Sequence, residues 1–179
     1  MKWKYLISLL FTCACIVSQA QVNIINTIAG NDTPGYSGDN GPAINAELWG
    51  PYSIYIDKDR NIYFPDAYNN RVRKINTSNG IITTIAGIDT GAYSGDGGPA
   101  TNAALSLPAD VVLDTFGNVY IVDEGNSRIR LIDGITGIIT TIAGTGVAGF
   151  SGDNGSATNA RLDMPSGLCL DNSGNLFIA

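Results

Sequence analysis

From residue 22 onward, short apolar runs rich in β-branched residues alternate with clusters of Gly, Asp, Asn, Ser and Pro. That is the pattern of strands punctuated by turns. One unit reads Ser53-Ile54-Tyr55-Ile56, a turn at residues 57–61, Ile62-Tyr63-Phe64, a turn at 66–70, Arg71-Val72-Arg73-Lys74-Ile75, a turn at 77–80, and Ile81-Ile82-Thr83-Thr84-Ile85. The next unit repeats it at 110–113, 119–122, 128–132 and 138–142. Its first two strands are near-continuous apolar runs, as expected of a sheet packed on both faces.

The unit is a repeat. Ile82-Thr83-Thr84-Ile85-Ala86-Gly87, followed by Tyr93-Ser94-Gly95-Asp96, has counterparts before and after it. Gly30, Gly87 and Gly144 are spaced by 57 residues, as are Asp39, Asp96 and Asp153. A fixed period of this size marks a solenoid, propeller or array. Four-stranded units that bury both sheet faces against neighbours predict an all-β propeller. The segments 41–48 and 98–105 suit about two helical turns, since proline is tolerated at the first helical position. Asp39, Asp96 and Asp153 stand just before these segments and are expected to accept their free amide protons.

Composition narrows the function. Once Lys2 and Lys4 are set aside, 8 Lys and Arg face 16 Asp and Glu, and there is no histidine. Such a surface repels phosphate backbones and anionic lipid, so no nucleic-acid role is expected. The commonest general base and zinc ligand is missing from this stretch. Lys2 and Lys4 precede an apolar run ending at Ser18-Gln19-Ala20, which reads as a signal peptide over residues 1–20, cut before Gln21. The run is short for a membrane span, and no transmembrane segment is expected. Neither Cys13 nor Cys15 has a convincing lipidation context. Export places the protein outside the cell, in a periplasm or at a cell surface. Cys169, alone in the mature part, shares the repeat column of Tyr55 and Val112 and is expected as a small buried hydrophobe.

Pro-x-Ser/Asp/Gly-apolar-x-apolar-Asp, Asn-apolar-Tyr-apolar-x-Asp, Asn-x-Arg-apolar-Arg-x-Ile and Ile-Thr-Thr-Ile-Ala-Gly together resemble the NHL repeat. The Tyr/Phe-Ser-Gly-Asp-x-Gly loop is similar to the extended form in teneurin-type and secreted bacterial NHL proteins. The resemblance covers residues 21–179, as repeats 25–81, 82–138 and 139–179. It implies an NHL β-propeller of four-stranded blades, six-bladed when complete. The third copy stops inside a strand, so an incomplete N-terminal fragment is expected. Residues 22–29 are expected to complete the last blade of the ring, with the remainder of its own chain closing the propeller.

Several motifs have plain readings. Asp57-Lys58-Asp59-Arg60-Asn61 resembles the start of a calcium loop, but Tyr68 stands where a bidentate glutamate belongs. Asp114-Thr115-Phe116-Gly117-Asn118 and 171–175 match it as hairpin turns. No cofactor is expected, and calcium is unsupported. The shared Ser-Gly-Asp loops read as scaffold, because repeat units must carry their own stacking chemistry. Asp66 with Arg71 and Asp123 with Arg128 recur at equal spacing and are expected to form a carboxylate-guanidinium brace. Positions that differ between copies are better candidates for function. Tyr52, Ser53, Tyr68, Asp110 and Glu124 lie in the inter-blade loops and second turns, which share one face of a propeller. A non-enzymatic scaffold binding protein or glycan there is the leading reading. The alternative is a metal-dependent propeller hydrolase, lactonase or lyase with its active-site residues in missing blades, since fold alone does not give function.

Overall fold

The structure, a computed structural model, describes residues 24–179. The leader, its cleavage point and residues 21–23 lie outside the described residues. Among the described residues ten strands form three sheets. β1 (Tyr55–Ile56), β2 (Ile62–Asp66), β3 (Arg71–Asn76) and β4 (Ile81–Ala86) make an antiparallel sheet in chain order. β5 (Pro108–Leu113), β6 (Val119–Asp123), β7 (Arg128–Ile132) and β8 (Ile139–Ala143) repeat it. β9 (Leu168–Leu170) and β10 (Leu176–Ile178) pair as the start of a third sheet. These are two complete blades and two strands of the next.

Both faces of each blade are buried because successive residues point to opposite sides. Tyr63 and Val72 face the second blade, where Val111, Leu113, Val119, Ile121 and Ile132 meet them across Ala100, Ala103 and Leu105 of the connecting loop. Phe64, Ile75 and Ile82 face the other way, against Ala43 and Ala46. Ala109, Val122, Ile129 and Ala143 carry the packing on to Leu168 and Leu176 of the third sheet. Each fully buried Val, Leu or Ile contributes about 1.5–3 kcal/mol, so stacking of blades carries most of the stability.

The long loops protect the outer strands. The loop before the first blade runs along β4: Asn40 N–H donates to Ile82 O at 2.8 Å, Ile82 N–H to Gly41 O at 3.1 Å and Ala43 N–H to Gly80 O at 2.8 Å. Residues 97–100 cover β8 in the same way. An outer edge that would invite pairing with another chain is thereby closed.

Four expectations are corrected. The helical segments are single 3-10 turns, Ala43–Asn45, Ala100–Asn102 and Ala157–Asn159, with Pro42 and Pro99 at the preceding cap position and no side-chain cap. Residues 24–29 form no strand, because no other strand among the described residues lies beside them. In the first inner strand the ladder is reduced to Tyr55 and Ile56, with an isolated bridge between Pro51 and Asp66. Pro65 brings no amide hydrogen opposite Ser53, where the second blade sets Val122 opposite Asp110. Cys169 is exposed, since its face of β9 meets nothing among the described residues.

The first turn is built as expected. In the first blade the Asp57 carboxylate accepts the amides of Asp59 at 2.9 Å and Asn61 at 2.7 Å and the Asn61 side chain at 2.9 Å. Asp114 and Asp171 repeat the arrangement.

Candidate functional site: an acidic, aromatic lip on the loop face

The lip is positioned by a buried ionic brace that differs from the expected one. Asp66 and Arg71 are direct cross-strand partners, as are Asp123 and Arg128. Arg71 and Arg128 turn away from these carboxylates, Arg71 donating to Asn69 O and Asp89 Oδ1 and Arg128 to Asn126 O and Thr145 O. The diagonal neighbour two residues on lies about 7–8 Å away, which suits its reach. Arg73 accordingly bonds Asp66 at 3.1 Å and Arg130 bonds Asp123 at 3.0 Å, with all four side chains fully buried.

The same guanidiniums reach out to the Ser-Gly-Asp loops, Arg73 to Asp39 at 2.8 Å and Arg130 to Asp96 at 2.6 Å. Asp39 and Asp96 therefore accept from arginine, and from the Tyr36 and Tyr93 hydroxyls at 2.9 Å, in place of helix amides. Partial burial pushes Asp39 up, but hydrogen bonds from Thr84 and Tyr36 and the Arg73 charge hold it below the ordinary carboxylate value. Asp96 is held down likewise. Burial keeps Asp66 and Asp123 above that value despite their arginines.

The glycine of each loop has a steric cause. Gly95 has φ +90°, and a Cβ there would stand 2.6 Å from Ala103 Cα.

Asp66 and Asp123 also fix the loop face. Their Oδ1 atoms accept the amide of Trp49 at 2.7 Å and of Ser106 at 2.8 Å, at the entry to each inner strand. The second turn, a 3-10 turn at Ala67–Asn69 or Glu124–Asn126, docks on that entry through Tyr68 N–H to Trp49 O at 3.1 Å and Gly125 N–H to Ser106 O at 2.9 Å. The inter-blade loops and second turns thus share one face. Leu107 N–H donates to Asn70 Oδ1 at 3.0 Å and ties one blade's lip to the next.

Three of the five candidates, Tyr52, Tyr68 and Glu124, lie exposed or half-buried on this face. Tyr52 is 64% exposed and Tyr68 50% exposed. The Tyr68 hydroxyl beside it, and more weakly the Glu124 charge, raise the Tyr52 phenol above its ordinary value. Glu124 is half-buried at the start of the second blade's turn. Asp110 is occupied differently. Its carboxylate accepts Val111 N–H at 2.8 Å and, across the blade boundary, Leu168 N–H at 2.7 Å, so it joins the second blade to the third. Ser53, its counterpart, has an enclosed hydroxyl without a hydrogen-bond partner among the described residues.

Two lip residues were not among the candidates. Trp49 is 50% exposed, with its ring centroid 5.5 Å from that of Tyr68 at 46°. Leu107, 41% exposed, holds φ +47°, a conformation that L residues with bulky side chains adopt at a cost. Both sit in columns that vary, Trp49/Ser106/Asp163 and Gly50/Leu107/Met164, which was the available signal.

A cavity of about 830 Å³ opens at the opposite end, between the turns at 57–61, 114–117 and 171–174. Among the described residues no group of three or more His, Cys, Asp or Glu is placed to hold a metal ion, and no helix is long and apolar enough to cross a membrane.

Four-stranded antiparallel blades, stacked face to face with the long connections on one side, define a β-propeller. No family model matches the chain. It is 29% identical to NHL repeat-containing protein 2 of Bos taurus over 150 residues, 80% of this chain and 19% of that protein. It is 30% identical to teneurin-1 of Mus musculus over 102 residues, 50% of this chain and 4% of that one. A structural genomics protein of unknown function from Bacteroides thetaiotaomicron superposes with a TM-score of 0.66 at 28% identity, over 77% of this chain and 35% of that one. In sequence and in fold the chain is similar to NHL-repeat proteins. It spans less than a fifth of the length of the curated relatives it matches.

Proposed function

We propose that residues 1–20 are a cleaved leader and that the propeller from residue 21, in repeats 25–81, 82–138 and 139–179, works outside the cytoplasm. There it serves as a non-enzymatic scaffold that binds protein or glycan through its loop face. The observation that carries this reading is the cluster of half-exposed aromatics Trp49, Tyr52 and Tyr68 on a rigid brace, in columns where the other copies have different residues. Large amphipathic rings on a fixed frame supply contact area at little entropic cost, and Trp and Tyr are the residues on which binding energy concentrates. The tyrosines offer hydroxyls and Glu124 a carboxylate, which suit polar partners. The test is a peptide and oligosaccharide panel probed with the full-length secreted protein and its Trp49→Ala/Tyr68→Ala variant. Binding that disappears in the variant supports the reading. Binding indifferent to both substitutions, or a mature protein that retains residues 1–20, contradicts it.

A further inference from the structure

The blades show internally how they hold a guanidinium. Arg71 lies with its Cζ 3.6 Å from the centre of the Tyr36 ring and Nη1 3.0 Å from Asp89 Oδ1. Arg128 lies 3.6 Å from the centre of the Tyr93 ring. An aromatic face attracts a cation through its quadrupole, and a carboxylate alongside adds to the hold.

The lip brings together the same ingredients with no cation of its own. Trp49 and Tyr68 pack ring to ring at 46°, Tyr52 stands beside Tyr68, and Glu124 opens the second turn of the next blade on the same loop face. Among the described residues no Lys or Arg stands over these rings, and neither Glu124 nor Asp163, in the Trp49 column, makes an ion pair. Of the other described cations, Arg161 sits in the loop that leads into the third blade. Lys58 and Lys74 line the cavity at the opposite end, and Arg60 sits in the turn beside it.

The geometry points to a lysine or arginine side chain, presented on an extended basic segment of a partner protein, as the group that this lip takes. The inference rests on the loop face being the binding surface. A neutral glycan would stack on the same rings but would draw no Coulombic benefit from Glu124 and Asp163.

The experiment titrates the full-length protein with an eight-residue peptide of alternating arginine and glycine, with the same peptide carrying citrulline for arginine, and with neutral oligosaccharides. The arginine peptide binds, and citrulline weakens binding by about tenfold. Glu124→Gln weakens it by about three- to tenfold, and added salt weakens it further. Trp49→Ala reduces binding in the same direction, whereas Lys74→Gln at the opposite end leaves it unchanged. Equal binding of the citrulline peptide, or binding indifferent to Trp49→Ala and Glu124→Gln, overturns the inference. A neutral oligosaccharide that binds through Trp49 where the arginine peptide fails overturns it while leaving the binding face standing. Failure of every ligand overturns both.

Discussion

The interior brace and the lip are built by neighbouring residues of the same blades, and they behave oppositely from one blade to the next. The brace is reproduced almost bond for bond. Arginine to inner aspartate is 3.1 Å in the first blade and 3.0 Å in the second, arginine to loop aspartate 2.8 and 2.6 Å, and tyrosine to threonine 3.2 Å in both. At the lip, Trp49 gives way to Ser106 and Asp163, Tyr52 to Ala109 and Ser166, and Tyr68 to Gly125. What every blade shares satisfies each blade's own buried charge. What varies is free of that task and faces outward, where a partner meets each blade differently.

The largest effect should come from breaking the brace. Arg130→Ala leaves the Asp123 carboxylate buried without its cation and releases the Asp96 loop, with an expected loss of about 3–5 kcal/mol. Urea unfolding of the full-length protein measures it. A loss within about 0.5 kcal/mol, as for an ordinary surface substitution, would place the brace outside the stabilising core.

Next in size is the coupling that separates the true partner from the neighbour directly across the ladder. A double-mutant cycle on Asp123 and Arg130 should show an interaction of about 1–3 kcal/mol. The corresponding cycle on Asp123 and Arg128 should show a smaller one, because Arg128 instead donates to Asn126 O at 3.2 Å and Thr145 O at 2.7 Å. Equal couplings would erase the distinction.

At the lip the sign reverses. Leu107 holds a left-handed backbone where the first blade has Gly50 at φ +66°, so Leu107→Gly should cost no stability and can raise it by about 1 kcal/mol. Binding to the loop face should weaken all the same. Destabilisation by the glycine would mean that Leu107 serves the core.

The smallest effect is on pH dependence. Asp39 and Asp96 have folded pKa values below the ordinary 3.8, so their stabilisation is present above that value and is lost as pH falls through the folded one. Asp66 and Asp123, raised by burial, contribute in the opposite sense: theirs is present below the ordinary value and is lost as pH rises through the folded one. Asp39→Asn should flatten the fall in urea midpoint below about pH 3.8. An unchanged acid limb would show that the loop clamp does not titrate with folding.

The architecture was legible in the sequence because the 57-residue interval aligns strand with strand, and each strand's apolar residues fill both faces of a sheet. The brace was half legible. The Asn-x-Arg-x-Arg pattern contains both arginines, but equal spacing cannot tell a direct cross-strand neighbour from a diagonal one, and the direct neighbours Arg71 and Arg128 are held by loop and turn oxygens instead. The helix expected after Pro42 and Pro99 shrank to a single turn because the loop spends its backbone hydrogen bonds on the outer strand. Tyr52, Tyr68 and Glu124 were visible as departures from the repeat. Trp49 and Leu107 depart as clearly, but lie in the loop just before the strand entry that carries Tyr52, Ser53 and Asp110. Asp110 departs from its column because its carboxylate bridges to the next blade at Leu168.

The division between scaffold and lip is tested most directly by Trp49→Ala/Tyr52→Ala/Tyr68→Ala in the full-length protein, with thermal midpoint and ligand affinity measured on the same preparation. The account predicts a midpoint within a few degrees of the parent and loss of binding to the loop face, because none of the three side chains enters the brace. A collapse of the midpoint with binding otherwise retained would contradict it.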